Sequence, residues 1–308
     1  MQNASEYPVV CFGEVLWDIL PSGPLPGGAP MNVAYHLKKL GTNPGLITKI
    51  GLDKYGEELV NILVKSRVST EFFYVDYDHQ TGLVYANAND YNEVVYDIVF
   101  PSAWDFIDLN DEMVSLVSHA EYFVYGSLTS RSKVSRDTLR QLLEVAKMKV
   151  LDINLRPPHF HRSDVEHLLR KADVLKMNLS ELELITGWFN SLYTTGERMK
   201  LMQDKFQIET LIVTLGGDGA LINHKGKLHH HPGFKVEVVD TIGSGDSFLA
   251  GFLHQQLNGA SISDALAFAS GMGAFMATQN GACPEYDISR ITTLIQSHSA
   301  SKIKTNSN

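Results

Sequence analysis

The sequence feature with the clearest chemical potential is a glycine-rich turn followed by an acidic residue. The chain contains Gly243-Ser244-Gly245-Asp246, with the apolar pair Val238-Val239 before it and a helical pattern after it. Glycines tolerate positive φ and allow close approach of a ligand, and N–H groups at a helix N-terminus attract anions. An ionised Asp246 would lie in the favourable field of the helix dipole. We therefore predict a strand, a turn and a helix that form an anion site, although a tight turn without a ligand has the same pattern.

A second glycine cluster lies near the N-terminus, where Gly27-Gly28 leads into a helix that contains Asn32. Asn32 offers two donors and an acceptor on the first helical turn. Asp18, which lies upstream, can accept hydrogen bonds from two neighbouring hydroxyl groups. A loop followed by proline at the first helical position has the same pattern, so this cluster alone leaves both interpretations open.

Two common nucleotide-binding motifs are excluded by the sequence. In the dinucleotide fingerprint G-x-G-x-x-G, the third glycine would fall at Phe248, and no G-x-x-x-x-G-K-[ST] occurs in the chain. A nucleotide would therefore have to bind in another way.

Composition limits the classes of partner. The chain has 308 residues and a net charge of −9, which disfavours nucleic acid and anionic membrane surfaces as partners. It does not exclude a small anionic ligand held by backbone N–H groups and a metal ion. The two cysteines allow no disulfide framework or zinc motif, and the N-terminal segment lacks the basic start of a signal peptide. We expect a cytoplasmic protein.

Strand-like and helical patterns alternate along most of the chain, which predicts an α/β fold with a mostly parallel sheet and helices on both faces. One block departs from this alternation, with strand-like runs at Phe72–Val75, Leu83–Ala88 and Val94–Ile98. We predict a small β-sheet lid formed by residues 72–100 with part of 14–27, and a main α/β domain formed by residues 1–71 and 101–308. The uncharged run from 265 to 284 predicts a buried helix followed by a loop.

Taken together, the two glycine clusters resemble the signature regions of the PfkB, or ribokinase-like, carbohydrate kinases. The matching segments are Gly27-Gly28-Ala29-Pro30-Met31-Asn32-Val33-Ala34 and Asp240-Thr241-Ile242-Gly243-Ser244-Gly245-Asp246. The resemblance extends from about Val9 to Asp287. It is nearest to the fructokinase-like branch, through Gly13-Glu14-Val15-Leu16-Trp17-Asp18 and Asp152-Ile153-Asn154-Leu155-Arg156. It departs from that branch at residues 89–93, where Asn-Asp-Tyr-Asn-Glu replaces a Gly-Glu-Arg turn.

The resemblance implies a ribokinase-like, Rossmann-type fold and an enzyme that transfers the γ-phosphoryl group of ATP to a hydroxymethyl group of a monosaccharide. Fructose is the expected acceptor. Phosphorylation of 2-keto-3-deoxygluconate, ribose or a nucleoside on the same fold is the alternative. A sugar or nucleotide sensor without catalysis is the alternative of a different class, and the presence of Asp246 disfavours it.

The resemblance also implies roles for individual residues. Asp246 would accept the proton of the sugar hydroxyl, and the N–H groups of Gly243, Ser244 and Gly245 would form an anion hole. The residues expected to contact the sugar are Asp18, Gly28, Asn32, Asn154, Arg156 and Asp246. The residues expected to contact the nucleotide are Asn178, Thr214, Gly216, Gly219, Ser270 and Gly273.

Three further expectations concern ions and assembly. Asn178 and Glu181 would organise Mg²⁺ mostly through water, although Asn-x-x-Glu is also the pattern of a helix capping box. K⁺ is expected near Asp240 and Ile242. A homodimer through the lid is expected because exposed sheet edges tend to pair.

Overall fold

The computed structural model describes residues 6–21, 23–88, 94–189 and 194–305, with side chains described in these ranges outside 86–88, 94–95 and 298–305. Residues 89–93, where the sequence departs from the fructokinase-like pattern, lie outside the described residues. The chain divides into two compact units, Met1–Ala172 and Asp173–Asn308. The proposed bounds of a main domain and a lid stay a prediction.

The elements of the first unit follow one another as strands and helices with two short 3₁₀ turns, at Ala103–Phe106 and Leu128–Arg131. In chain order they are β1 (Val9–Phe12), β2 (Leu16–Leu20), β3 (Gly23–Gly27), α1 (Ala29–Lys39), β4 (Pro44–Gly51), α2 (Lys54–Lys65), β5 (Phe73–Asp76), β6 (Gly82–Ala88), β7 (Val94–Ile98), α3 (Asp111–His119), β8 (Tyr122–Gly126), α4 (Lys133–Val145), β9 (Met148–Asp152) and α5 (Arg162–Lys171).

Five parallel strands form the larger sheet of this unit. β1 lies between β4 and β8, while β5 pairs with β4 and β9 pairs with β8. All four residues of β1 are buried, which is the pattern of a parallel strand that is covered on both faces. The carboxyl ends of β1, β8 and β9 therefore meet at one edge of the sheet, where the chain continues into the candidate sugar residues.

A second, four-stranded sheet has the order β3-β2-β6-β7. β2 pairs with β3 in antiparallel and with β6 in parallel orientation, and β6 pairs antiparallel with β7. The predicted small sheet is thus confirmed. The assignment of residues 72–75 to it is wrong, because Phe73–Asp76 pairs with β4 in the larger sheet. A short apolar run predicts a strand but does not say which sheet edge it will join.

The second unit has the same alternation, followed by a hairpin and a helical end. Its elements are β10 (Val174–Asn178), α6 (Leu179–Gly187), α7 (Thr195–Phe206), β11 (Thr210–Thr214), a 3₁₀ turn at Gly216–Asp218, β12 (Ala220–His224), β13 (Lys227–His231), α8 (Ser244–Leu257), α9 (Ile262–Met276) and α10 (Ile288–Thr305). β10 and β11 are parallel, and β12 and β13 continue the sheet in antiparallel orientation.

Two predictions near the glycine-rich turn need correction. Residues 232–243 form neither helix nor strand, so the predicted strand at Val238-Val239 is wrong. Both valine side chains are largely exposed, although the N–H of Val239 donates to the carbonyl oxygen of Ala277 at 2.8 Å. Helix α8 begins at Ser244, about one turn earlier than its apolar pattern predicts. An apolar pair signals burial on average, and here the surrounding loop leaves it at the surface.

The uncharged run from 265 to 284 contains the end of α9 and a following loop, as predicted. Across the described parts of the chain, we find no helix with both the length and the apolar character that a membrane crossing requires. The two cysteines, Cys11 and Cys283, form no disulfide.

A buried ion pair anchors the chain where it leaves the small sheet. Nε and Nη2 of Arg131 donate to Oδ1 and Oδ2 of Asp105 at 2.8 and 2.7 Å, and the two side chains are 3% and 0% exposed. Nη2 also donates to the carbonyl oxygen of Val99 at 2.7 Å, just after β7. The guanidinium group lies 4.0 Å from the centre of the Trp104 ring. One arginine therefore ties the end of β7 to the 3₁₀ turns of the same unit.

Replacing this arginine should strongly destabilise the first unit. Arg131→Ala leaves the Asp105 carboxylate buried without its partner, which typically costs about 3–5 kcal/mol. Chemical denaturation followed by circular dichroism measures the loss. Lys133→Ala, which removes an exposed i,i+4 pair with Asp137, is the matched control and should change stability little. Equal unfolding midpoints for the two variants would contradict the assignment of Arg131 as an anchor.

Candidate active site

Helix α8 begins at a glycine, not at a side-chain cap. Gly243 is the N-cap residue and has φ of +73°. A β-carbon at this position would lie 2.8 Å from the Cα of Ala282, so both the backbone conformation and the neighbouring loop require glycine. Because no side chain caps the first turn, its N–H groups can serve an external anion. The turn predicted from sequence therefore lies at the start of a helix.

The first turn of α8 contains the other three residues of the predicted motif: Ser244, Gly245 and Asp246. The N–H of Ser244 donates to the carbonyl oxygen of Thr241 at 3.2 Å, so one of the three predicted anion-hole groups is engaged within the turn itself. The structure thus brings the motif together but leaves the roles of its N–H groups a prediction.

Asp240 holds this turn against the loop of residues 279–284. Its Oδ1 accepts a hydrogen bond from the N–H of Ile242 at 3.0 Å, and its Oδ2 accepts one from the N–H of Gly281 at 3.1 Å. Burial raises the pKa of the Cys283 thiol, and the negative charge of Asp246 raises it further. The loop therefore borders the acidic end of the turn. Each carboxylate oxygen of Asp240, which was predicted to lie near K⁺, accepts one backbone hydrogen bond.

A cavity of about 220 Å³ lies beside the start of α8. Its wall includes Phe234, Val236 and Ala274, which make much of it apolar, as is usual for a small-molecule site. The predicted nucleotide residues Thr214, Gly216, Gly219, Ser270 and Gly273 line this same cavity, together with Ser244 and Gly245. The hydroxyl groups of Ser244 and Ser270 are buried there and have no hydrogen-bond partner among the described residues.

Asn178 and Glu181 form a reciprocal cap at the start of α6. The Asn178 Oδ1 accepts from the N–H of Glu181 at 2.9 Å, and the Glu181 Oε2 accepts from the N–H of Asn178 at 2.8 Å. The capping-box interpretation of this motif is therefore confirmed, and it does not exclude a water-mediated role. Neither residue lines the cavity. Among the described residues, no cluster of three or more His, Cys, Asp or Glu side chains could hold a metal ion by itself.

The first unit brings together three of the predicted sugar residues. Gly28 is the N-cap residue of α1 with φ of +112°, and a β-carbon there would overlap the carbonyl oxygen of Glu14. The N–H of Asn32, whose side chain is buried, donates to the carbonyl oxygen of Gly28 at 2.9 Å. Asp18 lies on β2, where a β-carbon at Gly27 would overlap its carboxylate. Asp18, Gly28 and Asn32 thus surround the start of one helix.

Asn154 and Arg156 follow the carboxyl end of β9. Asn154 has φ of +40°, and its carbonyl oxygen lies 3.5 Å from the Oγ of Ser127, which donates to it. Burial raises the pKa of Glu14, and the positive charge of Arg156 partly opposes this rise, so Arg156 lies near the end of β1. These two residues therefore join the same strand ends, which is where ligands usually bind in parallel sheets.

Sequence reasoning gave no role to Glu14, which is only 3% exposed. Its Oε1 accepts from the N–H of Ala29 at 3.3 Å, and its Oε2 accepts from the hydroxyl of Thr129 at 3.0 Å. Burial raises the pKa of Glu14 to about 7. A side chain from the end of β1 thus supplies the cap that Gly28 cannot. The available signal was an acidic residue directly after a buried strand.

Sequence reasoning also missed Lys176, which lies between the buried residues Leu175 and Met177 of β10 and is only 6% exposed. A β-carbon at Gly245 would lie 3.2 Å from its Nζ. Lysine is rarely buried to this extent, so its place in an apolar run was the signal that could have identified it.

Comparison with known proteins identifies the class of this chain. Residues 25–288 match the pfkB family of carbohydrate kinases. Probable fructokinase-5 from Arabidopsis thaliana is 32% identical over 307 residues, which cover 90% of this chain and 93% of that protein. Fructokinase from Escherichia coli is 30% identical over 258 residues, or 79% and 82% of the two chains.

The fold comparison agrees. A double mutant of the fructokinase from Vibrio cholerae O395, solved with fructose, ADP and a potassium ion bound, superposes with a TM-score of 0.82 at 26% identity. The match covers 96% of this chain and all of that one. The ribokinase-like fold and phosphotransferase class predicted from sequence are confirmed. The chain belongs to the pfkB family of carbohydrate kinases.

The raised pKa of Glu14 predicts a pH-dependent contribution to stability. The folded state holds the proton more tightly than the unfolded state, whose glutamate has an ordinary pKa near 4.5. The free energy of unfolding should therefore fall, relative to that of Glu14→Gln, as pH rises from about 4.5 to above about 7, by up to about 3 kcal/mol. Urea denaturation at several pH values measures the difference.

Glu57→Gln, at an exposed position, is the control for this experiment. Its stability should differ from that of the natural protein by the same amount at each pH. If Glu14→Gln also shows a constant difference, Glu14 does not take up a proton on folding.

Proposed function

We propose that this protein is an ATP-dependent fructokinase that transfers the γ-phosphoryl group to a hydroxymethyl group of fructose. The observation that carries the proposal is the uncapped start of α8 beside a largely apolar cavity, with Asp246 in its first turn. The names of the Arabidopsis and E. coli relatives support fructose as the acceptor. The signature motifs of the family lie at both glycine-started helices.

The cavity of the second unit suits a nucleotide. Its apolar wall at Phe234 and Val236 offers surfaces for a base, while Gly216, where the space of a β-carbon is open, allows phosphates or ribose to approach the backbone closely. Gly219 would line the same part of the site. Ser270 and Gly273 would lie beside the adenine. The phosphates would then extend towards Ser244 and Gly245 at the helix start, where the dipole favours negative charge.

Asn178 and Glu181 fit a magnesium ion that is bound mostly by water and phosphate. Their donor groups are oxygen atoms, which Mg²⁺ prefers, and Mg²⁺ usually keeps several waters and is not enclosed by protein. When bound, the ion would neutralise charge on the β- and γ-phosphates. The capping hydrogen bonds hold the Glu181 carboxylate in one orientation for this purpose.

Asp246 would act as the general base of the transfer. The bond between the γ-phosphorus and the β–γ bridging oxygen breaks, the bond between that phosphorus and the sugar oxygen forms, and the hydroxyl proton passes to the Asp246 carboxylate. Phosphoryl transfer of this kind depends on positioning and electrostatic stabilisation. The N–H groups of Gly243, Ser244 and Gly245 would stabilise the transferred group as an anion hole, with that of Ser244 shared between the phosphoryl group and the carbonyl oxygen of Thr241.

The sugar would be bound through residues of the first unit. Asp18 and Asn32 offer acceptors and donors for neighbouring hydroxyls, and the backbone at Gly28 would also contact the sugar. Asn154 and Arg156 would contact its other end. The four-stranded sheet would act as a lid that limits competing hydrolysis by water.

Two further parts of the proposal concern ions and assembly. K⁺ would bind near Asp240 and Ile242; the V. cholerae fructokinase contains a potassium ion. Two copies of the chain would pair through the edges of the small sheet, and the protein would work in the cytoplasm.

A panel of acceptors tests the substrate. Purified protein is incubated with ATP, Mg²⁺ and either fructose, ribose, 2-keto-3-deoxygluconate or adenosine, and ADP release is measured. We expect fructose to have the highest kcat/KM. A higher value for another acceptor would reassign the sugar. If no acceptor in the panel stimulates ADP release, the proposed kinase activity is contradicted.

Replacing the proposed base tests the mechanism. Asp246→Asn should lower kcat by about 10²–10⁴-fold, because the hydroxyl then lacks a proton acceptor. Nucleotide affinity, measured by calorimetry, should change little. Asp204→Asn, at an exposed position of α7 in the same unit, removes a carboxylate of the same type and serves as control. An Asp246→Asn variant that turns over like the control would contradict the assignment.

A further inference from the structure

We propose that Lys176 binds the terminal phosphoryl group of the nucleoside triphosphate and supplies the positive charge of the phosphate site. The inference deepens the proposed function, on which it rests. β10 carries Lys176 two residues before Asn178. Residues i and i+2 of a strand point to the same face, so both side chains leave β10 on one side.

Its side chain reaches the start of α8. A methyl group in place of the Gly245 hydrogen would lie 3.2 Å from Nζ and 3.7 Å from Cε of Lys176. The ammonium group is therefore adjacent to the middle residue of the glycine turn. The absence of a side chain at Gly245 leaves space for a phosphate to contact both the backbone and this ammonium group.

The burial of Lys176 would carry a free-energy cost if its side chain had no function there. Lys176 is only 6% exposed, and burial of a charged ammonium carries a large desolvation cost unless other charges offset it. Carboxylates of the same unit can contribute, and a bound triphosphate would contribute more. A buried lysine at a helix N-terminus is otherwise unfavourable, because the helix dipole places positive charge at that end. An anion bound between the Lys176 ammonium group and the N-terminus of α8 would interact favourably with both.

The charges around the cavity support the same role. The side chains that line it include no lysine or arginine among the described residues. Asp246 lies in the first turn of α8, and Glu181 lies at the start of α6. A triphosphate that approaches these carboxylates needs compensating positive charge in addition to backbone dipoles. Lys176 provides a compact charge for this purpose.

A structural role makes a different prediction. If Lys176 only pairs with a neighbouring carboxylate, its loss should lower stability and affect all ligands alike. If it contacts the terminal phosphoryl group, its loss should reduce binding of a triphosphate more than binding of a diphosphate. The ratio of the two affinities therefore separates the roles.

The experiment compares Lys176→Met, Lys176→Arg and the exposed control Lys227→Met. Calorimetry with ADP and with a non-hydrolysable ATP analogue measures the two affinities, and steady-state assays measure kcat and KM for ATP and fructose. For Lys176→Met we expect the analogue to lose at least about tenfold more affinity than ADP, which is the size of a lost charge-assisted hydrogen bond. We expect kcat/KM for ATP to fall about 10²-fold or more. The KM for fructose should change little.

Lys176→Arg retains the charge and should keep the preference for the triphosphate analogue while turnover falls, because its planar group is differently placed. Lys227→Met should behave like the natural protein. If Lys176→Met does not fold, Lys176→Gln replaces it. Loss of the preference for the triphosphate analogue over ADP in that variant supports the inference, and its retention contradicts it. Equal losses for both ligands, or unchanged kinetics, would overturn the inference. If the natural protein binds the triphosphate analogue but phosphorylates no sugar, the proposed function fails while the binding comparison still decides the role of Lys176.

Discussion

The backbone at the start of α8 is the constraint on which the nucleotide site depends. Gly243 turns the chain with a positive φ against Ala282, where no side chain fits. Other helices, such as α2 with Asp53 and α9 with Ser261, satisfy their first N–H groups with a side-chain cap. At α8 no side chain takes that role, and under the proposed function a bound anion would take it beside Asp246 in the same turn.

Helix α1 also begins at a glycine, but there a side chain from another element caps the first turn. Gly28 also has a positive φ, and the carbonyl oxygen of Glu14 leaves no room for a β-carbon. Here the Glu14 carboxylate reaches the first N–H of the helix from the end of β1, while its other oxygen accepts from Thr129. The segment proposed to bind the sugar is thus attached to two neighbouring strand ends. This attachment requires a carboxyl group in a place where burial disfavours its charge.

An acidic protein can bind a phosphate-rich substrate because net charge and local potential are different quantities. The net charge of −9 is a sum over the whole chain, whereas a phosphate responds to the groups within a few ångströms. At the start of α8 these are backbone dipoles and the ammonium group of Lys176 beside Gly245. The overall charge therefore disfavours extended polyanions as partners more strongly than it disfavours a single triphosphate.

Features that depend on neighbours along the chain could be predicted from the sequence. These include the α/β alternation, the glycine starts of α1 and α8, and the capping pattern of Asn178 and Glu181, since helix periodicity and caps are set within a few residues. Contacts in the folded chain were needed to show that Phe73–Asp76 pairs with β4, that Val238 and Val239 are exposed, and that Glu14 and Lys176 lie buried beside the two glycine starts. Those outcomes depend on packing between residues distant in sequence, where several partners satisfy the same local pattern and the burial of the whole unit selects among them.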